Sequence, residues 1–321
     1  MILRVFREVF PLAQPFTISR GSRTEAVVVR VEIESDGVIG QGECVPYPRY
    51  GETVAGVMDQ ITGLPTSFTR QELQDLLAPG AARNAVDCAM WDLEAKLKGR
   101  PVWQLAGLSE PSSEVTAYTL SLDTPENMEA AARKNSHRPL LKTKLGGTGD
   151  VARIEAVRRG APGARIIVDA NEGWSIETYG ELAPVLVRLG VEMVEQPLPA
   201  GEDEALTDIE RVLPVCADES CHDRSSLAKL VGKYDMINIK LDKTGGLTEA
   251  LALKEEAERA GYHIMVGCMV GSSLAMAPAV LVAQGCAVTD LDGPLLLAHD
   301  RPDGLKYDQV GVHPATKSLW G

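Results

Sequence analysis

Residues 26–35, AVVVRVEIES, alternate apolar and polar side chains, the period-two pattern of a strand with one buried face. Asp36-Gly37 predicts a tight hairpin turn, and VIGQGECV, from Val38, the returning strand. The period then lengthens. In AARNAVDCAMWDLEAKLKG, from Ala81, the apolar residues Ala85, Cys88, Ala89, Leu93 and Leu97 recur at helical spacing, and Gly99 with Pro101 predicts the stop. Residues 1–110 thus read as a small α+β domain. From about Val115 the pattern becomes one of short apolar strands separated by amphipathic helices: VTAYTL, LLKTKL, RIIVDA, VEMVEQ, PVCADE, DMINIKL, YHIMVG and AVTDLD. Eight strands alternating with helices predict an α/β fold, a (β/α)8-type TIM barrel, over residues 111–299. A doubly wound sheet would need a glycine fingerprint after its first strand, and the chain has none there.

A length of 321 residues with 45% hydrophobic side chains supplies such a core and argues against disorder. The formal net charge of -13 argues against nucleic acid or an anionic membrane surface as a partner. Arg4, Arg7 and Glu8 interrupt the apolar N-terminal run, which therefore reads as neither a secretion signal nor a membrane span. Cys44, Cys88, Cys216, Cys221, Cys268 and Cys286 form no C-x-x-C pair, and the histidines show no ligand spacing, as expected of reduced thiols in a cytoplasmic protein.

The charged positions sharpen the picture. Five strands end on a charged residue, Lys144, Asp169, Glu195, Asp218 and Lys240, at intervals of 25, 26, 23 and 22 residues. Each interval is one strand plus one helix, so a barrel brings all five to its C-terminal mouth, where such folds carry their chemistry. A single carboxylate there would most simply cap a helix or pair with a surface cation. Three from consecutive strands converge and repel unless a cation separates them. Oxygen donors without cysteine or histidine suit a hard divalent ion, Mg²⁺ best, because it keeps positions for water or substrate.

Lys142 and Lys144 lie two residues apart and share a strand face. Alone, that pair would be a solvated strand face, but Lys144 on the second strand should oppose Lys240 on the sixth. A substrate carboxylate on Mg²⁺ would set its α-carbon between two amines, and the metal would stabilise the enediolate left when that carbon loses its proton. One amine takes the proton and the other returns one to the opposite face, a 1,1-proton transfer. Such a base needs its pKa lowered from about 10.4 to roughly 7 or 8, a bias of about 4 kcal/mol. A neighbouring ammonium and a bound cation both favour that shift. Lys142 would either tune Lys144 or hold the substrate carboxylate.

KTK at 142–144, VDANEGW from Val168, VEQPL from Val194, ADES from Ala217 and NIKLDKTGG from Asn238, with the segment AVDCAMWDLEAKLKGRPVWQLAG, resemble the enolase superfamily in its muconate-lactonising subgroup. The resemblance spans nearly the whole chain. It implies that residues 1–110 cap the barrel and that residues 300–321 return to the cap. Within the subgroup, ISRGSRTEA, GECVPYPRYGE, GCMVGSS and TDLDGP resemble the dipeptide epimerases that act on L-Ala-D-Glu and L-Ala-L-Glu in murein peptide recycling.

Carried over by position, the resemblance makes Asp169, Glu195 and Asp218 the ligands of one Mg²⁺, Lys144 the acid/base group of the R face, Lys240 that of the S face, and Lys142 a substrate contact. Asp290 and Asp292 leave the last strand on one side and would pair with the free ammonium that a dipeptide has and an N-acylated amino acid lacks. Thr119, Met269 and Gly271 match substrate-contact positions. A cap arginine, Arg20 or Arg23, would meet the side-chain carboxylate of the Glu residue; for Arg23 a solvated loop is the simpler expectation. Two rivals stay open. One is another enzyme of the superfamily, an N-acylamino acid racemase, o-succinylbenzoate synthase or muconate cycloisomerase, which Asp290 and Asp292 would discriminate. The other is a non-catalytic metal-binding protein. Oligomeric state, a homo-oligomer included, is left open.

Overall fold

The computed structural model describes residues 1–321. β1 (Ile2–Ile18) and β2 (Gly21–Ser35) form a long antiparallel hairpin, and β3 (Val38–Cys44) returns along β2. Asp36 and Gly37 both take positive φ, 53° and 75°, as a two-residue hairpin of this hand requires. Val29, Val31 and Ile33 of β2 are fully buried beneath α1 (Val54–Thr62), α2 (Arg70–Leu76) and α3 (Ala81–Lys98). α3 is the expected central helix, and Gly99 ends it in the left-handed conformation at φ 61°. Of its expected apolar positions only Leu97, in the last turn, is exposed. α3 lies so close to β3 that a Cβ on Gly40 or Gly42 would fall 2.2 or 2.1 Å from the carbonyl oxygens of Ala89 or Ala85.

α4 (Val102–Leu105) leads into eight strands: β4 (Tyr118–Leu120), β5 (Leu140–Lys144), β6 (Arg165–Asp169), β7 (Val191–Glu195), β8 (Val215–Ala217), β9 (Met236–Ile239), β10 (His263–Gly267) and β11 (Val288–Asp290). Each pairs in parallel with the next, and a bridge between Thr116 and Thr289 closes the ring, the Ala117 N–H donating to the Thr289 carbonyl at 2.8 Å. All the expected strands are present, and the architecture is the expected barrel with an N-terminal α+β domain. α5 (Pro125–Lys134), α6 (Asp150–Gly160), α7 (Ile176–Arg188), α8 (Leu241–Thr244) with α9 (Leu247–Arg259), and α10 (Ser273–Ala283) fill the connections.

The alternation departs from expectation after β7 and β8, where single 3-10 turns, Glu204–Asp208 and Arg224–Lys229, replace helices. Pro197, Pro199 and Pro214 remove backbone donors from the first connection. The second is short, and the Asp223 side chain caps its single turn. α10 is not amphipathic. It is buried along its whole length, between the barrel, β3 and the segment around Asp300 and Leu305. The C-terminal residues lie on α3, where the Trp320 indole donates to the Cys88 carbonyl at 3.0 Å and the Gly321 N–H to Asp92 at 2.8 Å.

Outward-facing strand residues such as Leu141, Val168, Val194 and Ile237 pack under the helices in one large core. Inward-facing Ala117, Leu140, Ile167, Met193, Cys216, Met236, Met265 and Val288, one per strand, form a separate closed layer. Burying an aliphatic side chain of this size contributes about 1.5–3 kcal/mol, so the lower barrel is stabilised without help from the positions above it. The next inward positions, at the C-terminal strand ends, are charged or polar on every strand but β10, which has Gly267 there.

Candidate active site

Period-two alternation sets the site. On β5, Leu140 enters the apolar layer while Lys142 and Lys144 rise above it, and Asp169, Glu195 and Asp218 follow Ile167, Met193 and Cys216 by two residues. Lys144 Nζ donates to Asp169 Oδ2 at 2.6 Å. Lys142 Nζ is shared by three carboxylates, at 2.5 Å from Glu195, 2.8 Å from Asp290 and 3.3 Å from Asp169. Lys240 Nζ lies 2.5 Å from Asp218 Oδ2 and 3.8 Å from Glu195. Lys243 donates to Asp218 Oδ1 at 2.6 Å, and the Asn238 amide to Glu195 Oε1 at 2.8 Å.

These pairings fix the protonation states. Burial pushes the Asp169 carboxyl up, but Lys144 and Lys142 outweigh it and hold it at about 2. Burial, reinforced by Asp169, pushes Glu195 up to about 7. Asp218 is driven well below the carboxylate range because Lys240 and Lys243 overcome its burial. Burial also opposes the charge on Lys142 and Lys240, yet the carboxylates beside them hold both well above the usual lysine value. The sequence led us to expect a lowered lysine. Lys240 goes the other way, because Asp218 is nearer to it than any cation.

Asp169, Glu195 and Asp218 do not close into a three-carboxylate cage as they stand, since lysine ammonium groups lie among them. Their chemistry nonetheless fits a hard divalent ion. Glu195 Oε2 is buried and pairs with the Lys142 ammonium at 2.5 Å, with no aligned hydrogen bond. Glu219 Oε2, Asn171 Oδ1, Asn238 Oδ1 and Asp290 Oδ1 are likewise buried acceptors without donors. Carboxylate and amide oxygens gathered at one mouth, several of them without a hydrogen bond, suit an oxygen-seeking cation.

Thr119, Lys142, Lys144, Asp218, Lys240, Met269, Asp290 and Asp292 border one cavity, closed from the cap side by Arg20, Arg23, Phe16 and Tyr50. Asp292 accepts the Thr119 N–H at 2.6 Å, and burial beside Asp290 pushes its carboxyl up to about 7. Gly271 is turned away: a Cβ there would meet Glu43 and Val45 of the cap at 3.0 and 3.1 Å. It was expected at the substrate; its Cα packs against the cap at the β3 end. The two candidate arginines also differ from expectation. Arg20 donates to Glu219, to Glu172 and to the Asn171 carbonyl, whereas Arg23 lines the cavity with only the Phe16 ring beside it, 5.9 Å from the guanidinium.

Residues 1–107 match the N-terminal domain of the mandelate racemase / muconate lactonizing enzyme family, and residues 126–313 match the enolase C-terminal domain-like family. The chain belongs to the enolase superfamily. It is 47% identical to the L-Ala-D/L-Glu epimerase of Escherichia coli (strain K12), covering 97% of this chain and 99% of that one. It is 46% identical to an N-acetyl-D-glutamate racemase of a Pseudoalteromonas species, over 92% of this chain and 95% of that one. A crystal structure of an enolase family member from Agrobacterium tumefaciens with homology to dipeptide epimerases, with bound sodium and L-Ala-L-Glu, superposes with a TM-score of 0.97 at 55% identity over 99% of both chains.

In this enolase-superfamily mouth, sequence reasoning passed over Glu219, Asn238, Lys243 and Tyr50. A signal existed for two of them. Asn238 precedes Lys240 by two residues and so shares its face, and Lys243 follows Lys240 within one helical turn.

Proposed function

We propose that the chain is a Mg²⁺-dependent dipeptide epimerase that interconverts L-Ala-D-Glu and L-Ala-L-Glu by 1,1-proton transfer at the Glu α-carbon. The observation that carries this reading is the opposition of Lys144 and Lys240. Their strands, β5 and β9, are four apart in a closed ring of eight, so the two amines reach one cavity from opposite walls. An unprotonated lysine on one side takes the α-proton, and the ammonium on the other returns a proton to the opposite face. Each lysine ends in the other's starting state, which suits a reaction that must run both ways. We assign Lys144 to the R face and Lys240 to the S face.

Mg²⁺ on Asp169, Glu195 and Asp218 would supply Lewis-acid stabilisation of charge on the substrate α-carboxylate as the proton leaves. With Asp218 engaged by such an ion, Lys240 would lose the partner that holds its proton and would come closer to a working base. The free Asp290 Oδ1 and Asp292 suit the L-Ala ammonium, and Thr119 holds Asp292 for it. Arg23, with no ionic partner, suits the Glu side-chain carboxylate as a bidentate donor. Lys142 acts as the counter-ion that binds Asp290 to the metal carboxylates, and from the cavity wall it also reaches the substrate. The likeness to the E. coli epimerase and to the L-Ala-L-Glu-bound Agrobacterium protein supports this substrate. A cytoplasmic place in murein peptide turnover agrees with six unpaired cysteines.

A second reading, racemisation of N-acylated glutamate, has the Pseudoalteromonas relative in its favour. Both substrates present a Glu α-carbon and differ in the free amine. Proton NMR in D₂O, with and without Mg²⁺, separates the two. Metal-dependent deuteration and epimerisation of L-Ala-L-Glu, weakened by Asp290→Asn and Asp292→Asn, is the expected result. Turnover of N-acetyl-L-glutamate alone would install the second reading.

A further inference from the structure

The cap encloses the cavity between Lys144 and Lys240 and leaves about 50 Å³ of free space around the two amines. The tip of the β1–β2 hairpin, Ser19–Arg20, is the part of the cap laid over the mouth, and it is fastened there. The Leu122 N–H donates to the Thr17 carbonyl at 3.0 Å, and Ser19 Oγ to the Asn171 carbonyl at 3.0 Å. Arg20 makes the rest of the attachment, from one guanidinium to three partners of the barrel: the Asn171 carbonyl at 2.8 Å, Glu172 at 3.1 Å and Glu219 at 2.7 Å, with the Tyr47 hydroxyl of the cap at 3.2 Å.

Two features mark these partners as a built receptor for the tip. Asn171 and Glu172 take the left-handed conformation, at φ 46° and 65°, which non-glycine residues rarely adopt. Asn171 is held there by its own bonds to Asp169, the N–H to Oδ1 at 2.8 Å and the side-chain amide to Oδ2 at 3.1 Å, and in that posture its carbonyl meets Arg20. Glu172 gathers further elements, accepting Arg49 at 2.7 Å and the Ala200 N–H at 2.8 Å. Glu219 directly follows Asp218 and is nearly fully buried. Arg20 thus joins the hairpin tip to the loops after β6 and β8, which carry Asp169 and Asp218.

We propose that Arg20 is a positioning residue, the latch that holds the hairpin tip over the mouth, and that it does not contact substrate. The inference deepens the dipeptide reading and rests on it for its kinetic consequence alone. Loss of the latch lowers the fraction of closed molecules, and apparent substrate affinity falls by the inverse of that fraction, roughly tenfold if one molecule in ten stays closed. Preference for a carboxylate side chain is left to Arg23.

The test uses the full chain with Arg20→Met, Arg20→Lys and Arg23→Met. Amide hydrogen exchange over residues 17–22 of the unliganded protein should rise roughly tenfold in Arg20→Met, less in Arg20→Lys and not in Arg23→Met. With L-Ala-L-Glu, Arg20→Met should raise KM about tenfold with little change in kcat, and Arg20→Lys should recover part of it. The rate ratio of L-Ala-L-Glu to L-Ala-L-Gln should persist in both Arg20 variants and collapse in Arg23→Met. Exchange in Arg20→Met within twofold of the parent, or a ratio that collapses there, overturns the latch. A parent protein that epimerises neither peptide sinks the dipeptide reading, and the exchange measurement then decides the latch by itself.

Discussion

Lys142→Met removes the ammonium around which the mouth is organised while keeping the length of the side chain. Lys142 is 2% exposed, and its Nζ lies 2.5, 2.8 and 3.3 Å from Glu195, Asp290 and Asp169. Breaking a buried ion pair by deleting one partner costs about 3–5 kcal/mol. Three carboxylates that share one ammonium do not triple that cost. Glu195, already pushed up to about 7 by burial and Asp169, can take a proton in its place. Its folded pKa lies above the ordinary carboxylate value, so the folded variant gains relief as pH falls through 7, and the loss should be largest at pH 8 and smaller at pH 6. At roughly 2–4 °C per kcal/mol for a chain of this order of size, the melting temperature at pH 8 should drop by about 6–20 °C. Thermal melting followed by circular dichroism in EDTA measures it. Repeating the melt with Mg²⁺ should raise the variant's Tm by more than the parent's, because the variant carries one more uncompensated negative charge for the cation to bind. Removing Lys142 raises Glu195 further still, so the comparison extends upward in pH, and a Tm within about 2 °C of the parent throughout about pH 6–9 would refute the bridging role.

Lys144→Ala and Lys240→Ala should each lower net epimerisation by roughly 10²–10⁴-fold or more. Each should keep α-deuterium exchange with only one of the two diastereomers, and exchange of both by either variant contradicts the division of faces. Asp242 is buried against the Val45 N–H and the Asn84 amide, and burial pushes its carboxyl up to about 7 from the usual 3.8. The folded protein therefore loses stability as pH rises between those values, by up to about 4 kcal/mol. The water-accessible cavity of about 630 Å³ beside Asp242 makes that an upper bound. Asp242→Asn should accordingly unfold at higher urea than the parent at pH 8, with the gap closing near pH 4; a gap independent of pH rejects the argument. Gly267→Ala would set a Cβ 2.7 Å from Asn238 Oδ1 and displace the amide that fixes Glu195. Isothermal titration should show Mg²⁺ affinity reduced roughly 10–100-fold, and unchanged affinity in a folded variant would remove Asn238 from the metal's support.

Barrel strands were legible because their apolar runs end on charges at a near-constant interval, and the opposition of Lys144 and Lys240 followed from counting strands. The helices after β7 and β8 were not legible: the interval hardly changes when a helix is replaced by a looped chain with one 3-10 turn. α10 carries no polar face to predict from, because its partners on every side come from distant parts of the chain. Alternation correctly gave Lys142 and Lys144 one face. The near-simultaneous approach of Asp169, Glu195 and Asp290 to Lys142 depends on strand tilt and rotamer, which spacing does not encode. Arg20 and Arg23 share one short motif, and their different fates are decided by loops 150 to 200 residues away, at Asn171, Glu172 and Glu219. The resemblance put Met269 and Gly271 together at the substrate; the structure sets Met269 on the cavity wall and Gly271 against Glu43 and Val45 of the cap.

Ala117, Leu140, Ile167, Met193, Cys216, Met236, Met265 and Val288 seal the barrel beneath the lysines. Water has no way to Lys144 or Lys240 from that side, so the site is a vessel whose neck lies at the mouth, under the cap. If the two lysines exchange protons with substrate as proposed, an isotope lifted by one of them would stay there until the neck opens. The share of that label returned to the molecule it came from is then a clock, comparing how fast the cap opens with how fast the proton crosses.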